Sequence, residues 1–266
     1  MQPNEKYRKQ EIDPNRILDL HLRGLRKTSE NVADFRMHSR LGNAGVQEQQ
    51  RHGKHTEGPA DFANDAKRYS EQLDLRDPEN IDVKMYALIL GATPSMIEAQ
   101  KQLQRRTISD HTKDNAKLNL IGFNNILKDI IDTNPSIEPF VITELVKSAT
   151  IAYGYGAEDI NMAVRETEER QVGMKHELGF EAPLYYLPEG FEILDTTDKD
   201  DSEGVDHRIL CRNGVIVTVD VKASQELADK AIQEAEEFSY MSGHGGRLPK
   251  NKLIMFSGYT MDDFDP

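Results

Sequence analysis

Residues 204–224 read GVDHRILCRNGVIVTVDVKAS, and three of them have types and spacing that can do chemistry: Asp206, Asp220 and Lys222. Side chains alternate between the faces of a strand, so Asp220 and Lys222 share one face and Val217, Val219 and Val221 the other. Asn213-Gly214 between two β-rich runs predicts a two-residue hairpin turn, which returns Asp206 beside the strand end that carries Asp220 and Lys222. Two carboxylates from adjacent strands make a hard, oxygen-rich site of the kind Mg²⁺ or Mn²⁺ uses, with waters and substrate phosphate oxygens completing the shell. A lysine within reach can position the attacking water or steady charge growing on phosphorus, and the metal lowers the water's pKa. The chemistry such a set can do is phosphodiester hydrolysis. The plainer reading is a surface hairpin in which Asp220 and Lys222 are solvent-facing partners.

The elements that must position these residues follow from hydrophobic spacing. From Ala157 a long charged helix runs to Gly179, then FEIL (191–194) reads as a strand and DTTDKDDSEG (195–204) as an acidic, solvated loop or an active-site flap. After the hairpin comes a helix capped by Ser224, with Leu227, Ala231, Ile232, Ala235 and Phe238 on one side, and then a strand KLIMFS (252–257). That order is α/β. Upstream, the spacing predicts helices over 14–38 with a break near Thr28-Ser29, over 61–75, 81–90, 94–106, 112–132, and after Pro139. Residues 41–60, rich in Gly, Gln and His with little to bury, read as a mobile loop. The chain thus divides into an α-helical region over 1–150 and an α/β region over 151–266.

Charge is unevenly spread. The net −13 of the 266 residues lies wholly in 151–266, with 11 Lys+Arg against 24 Asp+Glu, whereas 1–150 has 22 of each. An acidic domain can still engage a polyanion if its carboxylates hold cations. A single cysteine, Cys211, rules out an internal disulfide and a cysteine-based zinc cluster. No apolar run approaches a membrane span, and the first 30 residues are charged throughout. An intracellular, cytoplasmic protein with no membrane partner is expected.

Residues 206–222 resemble the core motif of the PD-(D/E)XK nuclease superfamily, the restriction-endonuclease-like fold. Asp206 matches the first aspartate and Asp220-Val221-Lys222 the acidic-x-Lys triplet, with Val205 where the name-giving proline would stand. GMKHE (173–177), GFEIL (190–194) and GVD (204–206) are similar to the run seen in many members, and the resemblance covers about residues 157–258. It implies a mixed sheet flanked by helices and a Mg²⁺- or Mn²⁺-dependent endonuclease acting on DNA. Asp206, Asp220 and the Val221 carbonyl would be metal ligands, Lys222 the catalytic ammonium, and a glutamate of the preceding helix would complete the shell. Glu177 is the first choice. Gly179 and Pro183 trouble a helix drawn through it, so Glu169 and Glu168, near Val164 and Val172, stay open. Duplex cutting with one site per subunit would favour a homodimer through the helical region.

Other readings stand beside this one. The whole chain can be a non-catalytic nucleic-acid- or protein-binding module on a nuclease-like scaffold, and a small-molecule phosphohydrolase would need a closed pocket. ALILGATPSMIEAQKQL (87–103), with Gly91 at the turn, Thr93 as cap and Arg105-Arg106 downstream, has a helix-turn-helix look; two packed helices are the preferred reading. His38, His52 and His55 match no ligand set and read as solvated. SGHGGRLPK (242–250) follows a helix instead of opening one, so it reads as a loop whose Arg247 and Lys250, with Lys230 and Lys252, can touch a DNA backbone.

Overall fold

The computed structural model describes residues 13–42, 59–134, 136–184, 187–197, 200, 205–241 and 251–256. Among them are seven helices, α1 (Pro14–Gly42), α2 (Pro59–Glu71), α3 (Glu79–Leu103), α4 (Asp110–Thr133), α5 (Pro139–Ala152), α6 (Ala157–Leu184) and α7 (Gln225–Met241). Four strands, β1 (Glu192–Leu194), β2 (His207–Leu210), β3 (Ile216–Lys222) and β4 (Lys252–Phe256), form one mixed sheet. The chain is therefore mostly helical with a small sheet near its end, an arrangement compatible with the α/β class. The loop expected over 41–60, with His52 and His55, and the segment 242–250, with Arg247 and Lys250, lie outside the described residues, apart from the ends of the flanking helices.

Two compact units interleave along the chain, one built from Met1–Glu98 and Asp129–Arg165, the other from Ala99–Lys128 and Glu166–Pro266. In the first, α1 packs on α2 and α5. Helices α1, α2 and α5 all open on proline, whose missing N–H falls where the first turn has no acceptor for it. Leu25, Val32, Met85, Ile89, Met96, Ile142 and Leu145 fill its core. Helix α1 runs without the break expected near Thr28-Ser29, and Thr28 is buried within it.

Neither the two packed helices preferred for this stretch nor its helix-turn-helix alternative forms. Residues 79–103 are one helix, with Gly91, Thr93 and Pro94 inside it. Gly91 marks a close approach to α2: a Cβ there would lie 2.7 Å from Lys67 Cγ and 3.2 Å from the Ala63 carbonyl oxygen. Thr93 caps nothing, and its hydroxyl donates back to the Ile89 carbonyl at 2.7 Å. Pro94 has no N–H for the Leu90 carbonyl four residues back. The Tyr153 hydroxyl donates to that carbonyl instead, at 2.7 Å, so the proline is accommodated without ending the helix.

In the second unit the strand order is β1-β2-β3-β4, antiparallel between β1, β2 and β3 and parallel between β3 and β4. A parallel neighbour needs a crossover, and α7 supplies it, packing on β3 and β4. Its start is fixed by Ser224, whose hydroxyl accepts from the Leu227 amide at 3.2 Å. Leu227 itself is half exposed, and Ala228 takes the buried place expected for it. Phe123, Leu127, Met174, Val205, Val219 and Val221 supply apolar burial in this unit.

Tyr153→Phe should leave the buried Leu90 carbonyl without a donor and cost about 1–3 kcal/mol of stability. Urea denaturation of the two proteins measures it, and equal midpoints would show that the proline is accommodated in some other way.

Candidate active site

One residue in the β2–β3 loop decides which side chains meet. A two-residue turn at Asn213-Gly214 would pair Arg212 with Val215 and set Asp206 opposite Val221, on the wrong face for Asp220. The loop has three residues instead. The Gly214 amide donates to the Cys211 carbonyl at 2.9 Å, the Cys211 amide to Val215 at 2.8 Å, and Leu210 pairs with Ile216. Among the described residues positive φ occurs only at glycines, and Gly214, at φ 77°, takes the left-handed bulge position that follows a tight turn. Asn213 serves as a side-chain acceptor, taking the Val215 amide at 3.1 Å. The ladder ends at His207↔Val219; Asp206 follows just beyond it, near enough to Asp220 for the two carboxyls to act on each other electrostatically.

Asp206 is locked there from both sides. Its amide donates to the Val219 carbonyl at 2.8 Å, and its Oδ2 accepts from the Val221 amide at 2.5 Å. Asp220 is buried, and its Oδ1 meets the Lys222 ammonium as an ion pair without the alignment of a hydrogen bond. The solvent-facing pair of the plainer reading is therefore not what forms. Burial, then the Glu177 charge and, more weakly, that of Asp220 push the Asp206 carboxyl up to about 7, against the opposing pull of the Val221 amide and the Lys222 ammonium.

Helix α6 brings the third carboxylate. It continues through Gly179 and Pro183 to Leu184, so Glu177 lies within it. Glu177 acts electrostatically on Asp206 and pairs through Oε1 with Lys128 Nζ of α4 at 3.3 Å. Glu168 and Glu169 are exposed, as is Val172, because the inward stripe of α6 passes through Ala163, Thr167, Gln171 and Met174. The helix is held at its middle by Glu166 and Arg170: Gln100 donates to Glu166 at 2.6 Å and Arg170 to Asn124 at 2.6 Å. The helix is also tied to β2. His207 is buried, its ring stacks obliquely on Phe180 at 5.4 Å and it donates to the Glu177 backbone carbonyl. Burial and the nearby Lys128 ammonium press its pKa down to about 4. Lys128 and His207 are the two site residues that motif reading missed; no sequence signal marks Lys128, 49 positions before its partner.

Among the described residues no group of three or more His, Cys, Asp and Glu side chains is gathered as a ready metal cage. The donor chemistry nonetheless suits a divalent cation: two neighbouring aspartates in poorly solvated surroundings, a third carboxylate acting on one of them, and a carboxyl driven toward protonation first by burial and then by those like charges. Of the other basic candidates, Lys230 is exposed and pairs along α7 with Glu234, and Lys252 opens β4; His38 is exposed. In the acidic loop, Asp200 accepts from Thr197 and pairs with Arg208 at 3.6 Å, while Asp198, Asp201 and Glu203 lie outside the described residues. No described helix is long and apolar enough to cross a membrane. No family model, curated protein or solved structure matches the chain.

The raised Asp206 pKa has a sign. Between pH 3.8 and about 7 the folded protein holds a proton here that the unfolded chain releases. This carboxyl's contribution to stability is therefore complete below pH 3.8 and is lost as pH rises to about 7. Asp206→Asn keeps an acceptor for the Val221 amide and removes that loss. In EDTA its melting temperature relative to wild type should climb across this window and stay higher at pH 8; a difference flat with pH would mean that Asp206 ionises freely.

Proposed function

We propose that the unit carrying the sheet is a restriction-endonuclease-like core and that the protein is a divalent-cation-dependent nuclease hydrolysing phosphodiester bonds in DNA. The observation that carries this reading is the convergence at the end of the hairpin: Asp206 bonds the Val221 amide and lies in electrostatic reach of Asp220, Lys222 and Glu177, and Lys222 pairs with Asp220. Asp206, Asp220, the Val221 carbonyl and Glu177 would hold Mg²⁺ or Mn²⁺. When bound, such an ion lowers the pKa of water and offsets charge developing on the phosphate.

The chain's own groups do the rest. The Val221 amide fixes the rotamer of Asp206 through Oδ2. Lys222 presents its ammonium where water and the scissile phosphate would meet, and so stabilises the negative charge of the transition state. The water oxygen forms the new bond to phosphorus, its proton passes to solvent, and the leaving oxygen takes up a proton as its own bond to phosphorus breaks. DNA enters this reading through the PD-(D/E)XK resemblance of residues 206–222.

A supercoiled plasmid incubated with Mg²⁺ or Mn²⁺ should be nicked or linearised. Asp220→Asn and Lys222→Ala should each lose activity by about 100-fold or more, and EDTA should abolish it. Metal-independent plasmid binding without cutting, indifferent to both substitutions, would move the protein to the class of binding modules.

A further inference from the structure

Lys128 has no place in the motif, yet its ammonium stands at the site. It comes from α4, pairs with Glu177 Oε1 at 3.3 Å, and is near enough to His207, next to Asp206, to oppose that ring's protonation. Both members of the pair are partly screened, with side chains 33% and 25% exposed, so the contact is neither sealed in the core nor free in solvent. Lys222 holds Asp220 in the same manner on the other carboxylate. Each lysine thus occupies a carboxylate that the nuclease reading gives to a divalent cation.

Resting on that reading, we propose that Lys128 is a second phosphate-binding cation, parked on Glu177 until the divalent ion takes that carboxylate. The charge count supports the exchange. Asp206, Asp220 and Glu177 against Lys128 and Lys222 leave no net charge while Asp206 is protonated and one net negative charge once it ionises, and neither attracts a nucleic-acid backbone. A divalent cation turns that into one net positive charge and frees both ammoniums. A lysine is suited to the task because its ammonium is a point charge on a flexible stem that can change partners, whereas a guanidinium favours a fixed bidentate fit. The metal-free site would then have little attraction for a polyanion, and loading it would create the attraction.

The test uses the full chain. Lys128→Met removes the competitor while keeping the length of the stem, and should tighten Mn²⁺ binding measured by calorimetry about two- to fivefold. In Ca²⁺, used as a non-cleaving probe ion, the same variant should reduce the slope of log affinity for duplex DNA against log salt by about 0.9, one phosphate contact; in EDTA the slopes should coincide. Lys128→Arg, which keeps the charge and holds Glu177 at least as firmly, should bind Mn²⁺ no more tightly than wild type. A lysine that merely packs α4 would leave Mn²⁺ affinity unchanged or weaken it, and either result, or an unchanged slope in Ca²⁺, overturns the assignment. If wild type binds Mn²⁺, Asp220→Asn abolishes that binding and Lys128→Met is indistinguishable from wild type, only the Lys128 assignment falls. If wild type binds no Mn²⁺, the nuclease reading falls and this one with it.

Discussion

The site hangs on a parity rule. Side chains of a strand alternate with period two, so one residue more or less in the hairpin loop moves a whole strand's side chains to the opposite face. Asn213-Gly214 fits a two-residue turn and a three-residue loop equally well as local sequence; the second forms, and it pairs His207 with Val219, next to Asp206 and Asp220. The choice is made by where the left-handed residue is needed. A two-residue turn of the favoured type needs positive φ at both central positions, whereas the three-residue loop asks it of Gly214 alone and frees Asn213 to bond the Val215 amide. The proximity of two carboxylates, which costs stability, thus lies at the end of a hairpin whose loop is itself relaxed.

That cost is managed by neighbours rather than avoided. A buried carboxylate left alone would lose several kcal/mol of solvation. Asp206 is supported by the Val221 amide and Asp220 by Lys222, and Lys128 supports Glu177. The compensation is incomplete at Asp206, whose carboxyl rises to about 7. Replacing the set by apolar residues of similar size would be neutral or stabilising by general experience, so the fold does not need these charges. Helix α6 makes the same point. Glu166, Arg170 and Glu177 lie within roughly 40° on one stripe of the helix, and their partners Asn124 and Lys128 are one turn apart on α4. A polar seam between two helices gains little stability, but it fixes the rotation of α6 and hence the direction of Glu177.

What could be read from the sequence was what is local. Strand alternation around 216–222, the Ser224 cap, and the proline starts of α1 and α5 all depend on a few neighbouring residues, and each forms where its pattern lies. The loop length was not legible, because both hairpin types use the same two residues. Pro94 read as a helix start since the residue that rescues it, Tyr153, is 63 positions from Leu90. Glu168 and Glu169 looked inward when the stripe of α6 was drawn through Val164 and Val172; tertiary contacts of Gln100 and Asn124 rotate the helix so that Val172 is outside. Lys128 was invisible for the same reason, its meaning lying entirely in a contact between distant helices.

The acidity of the chain and its proposed substrate look opposed, and the distances involved reconcile them. At physiological ionic strength the field of exposed charges fades over about 8 Å, so an exposed carboxylate farther than that from the hairpin has little say there. What matters is the balance within the site, where three carboxylates outweigh two ammoniums by at most a single charge. On the proposed reading one divalent ion would reverse a balance that fine. On that reading the site would gain affinity for nucleic acid where and when a cation is bound, and selectivity for the metal-loaded state would follow from which partner Lys128 and Lys222 each have.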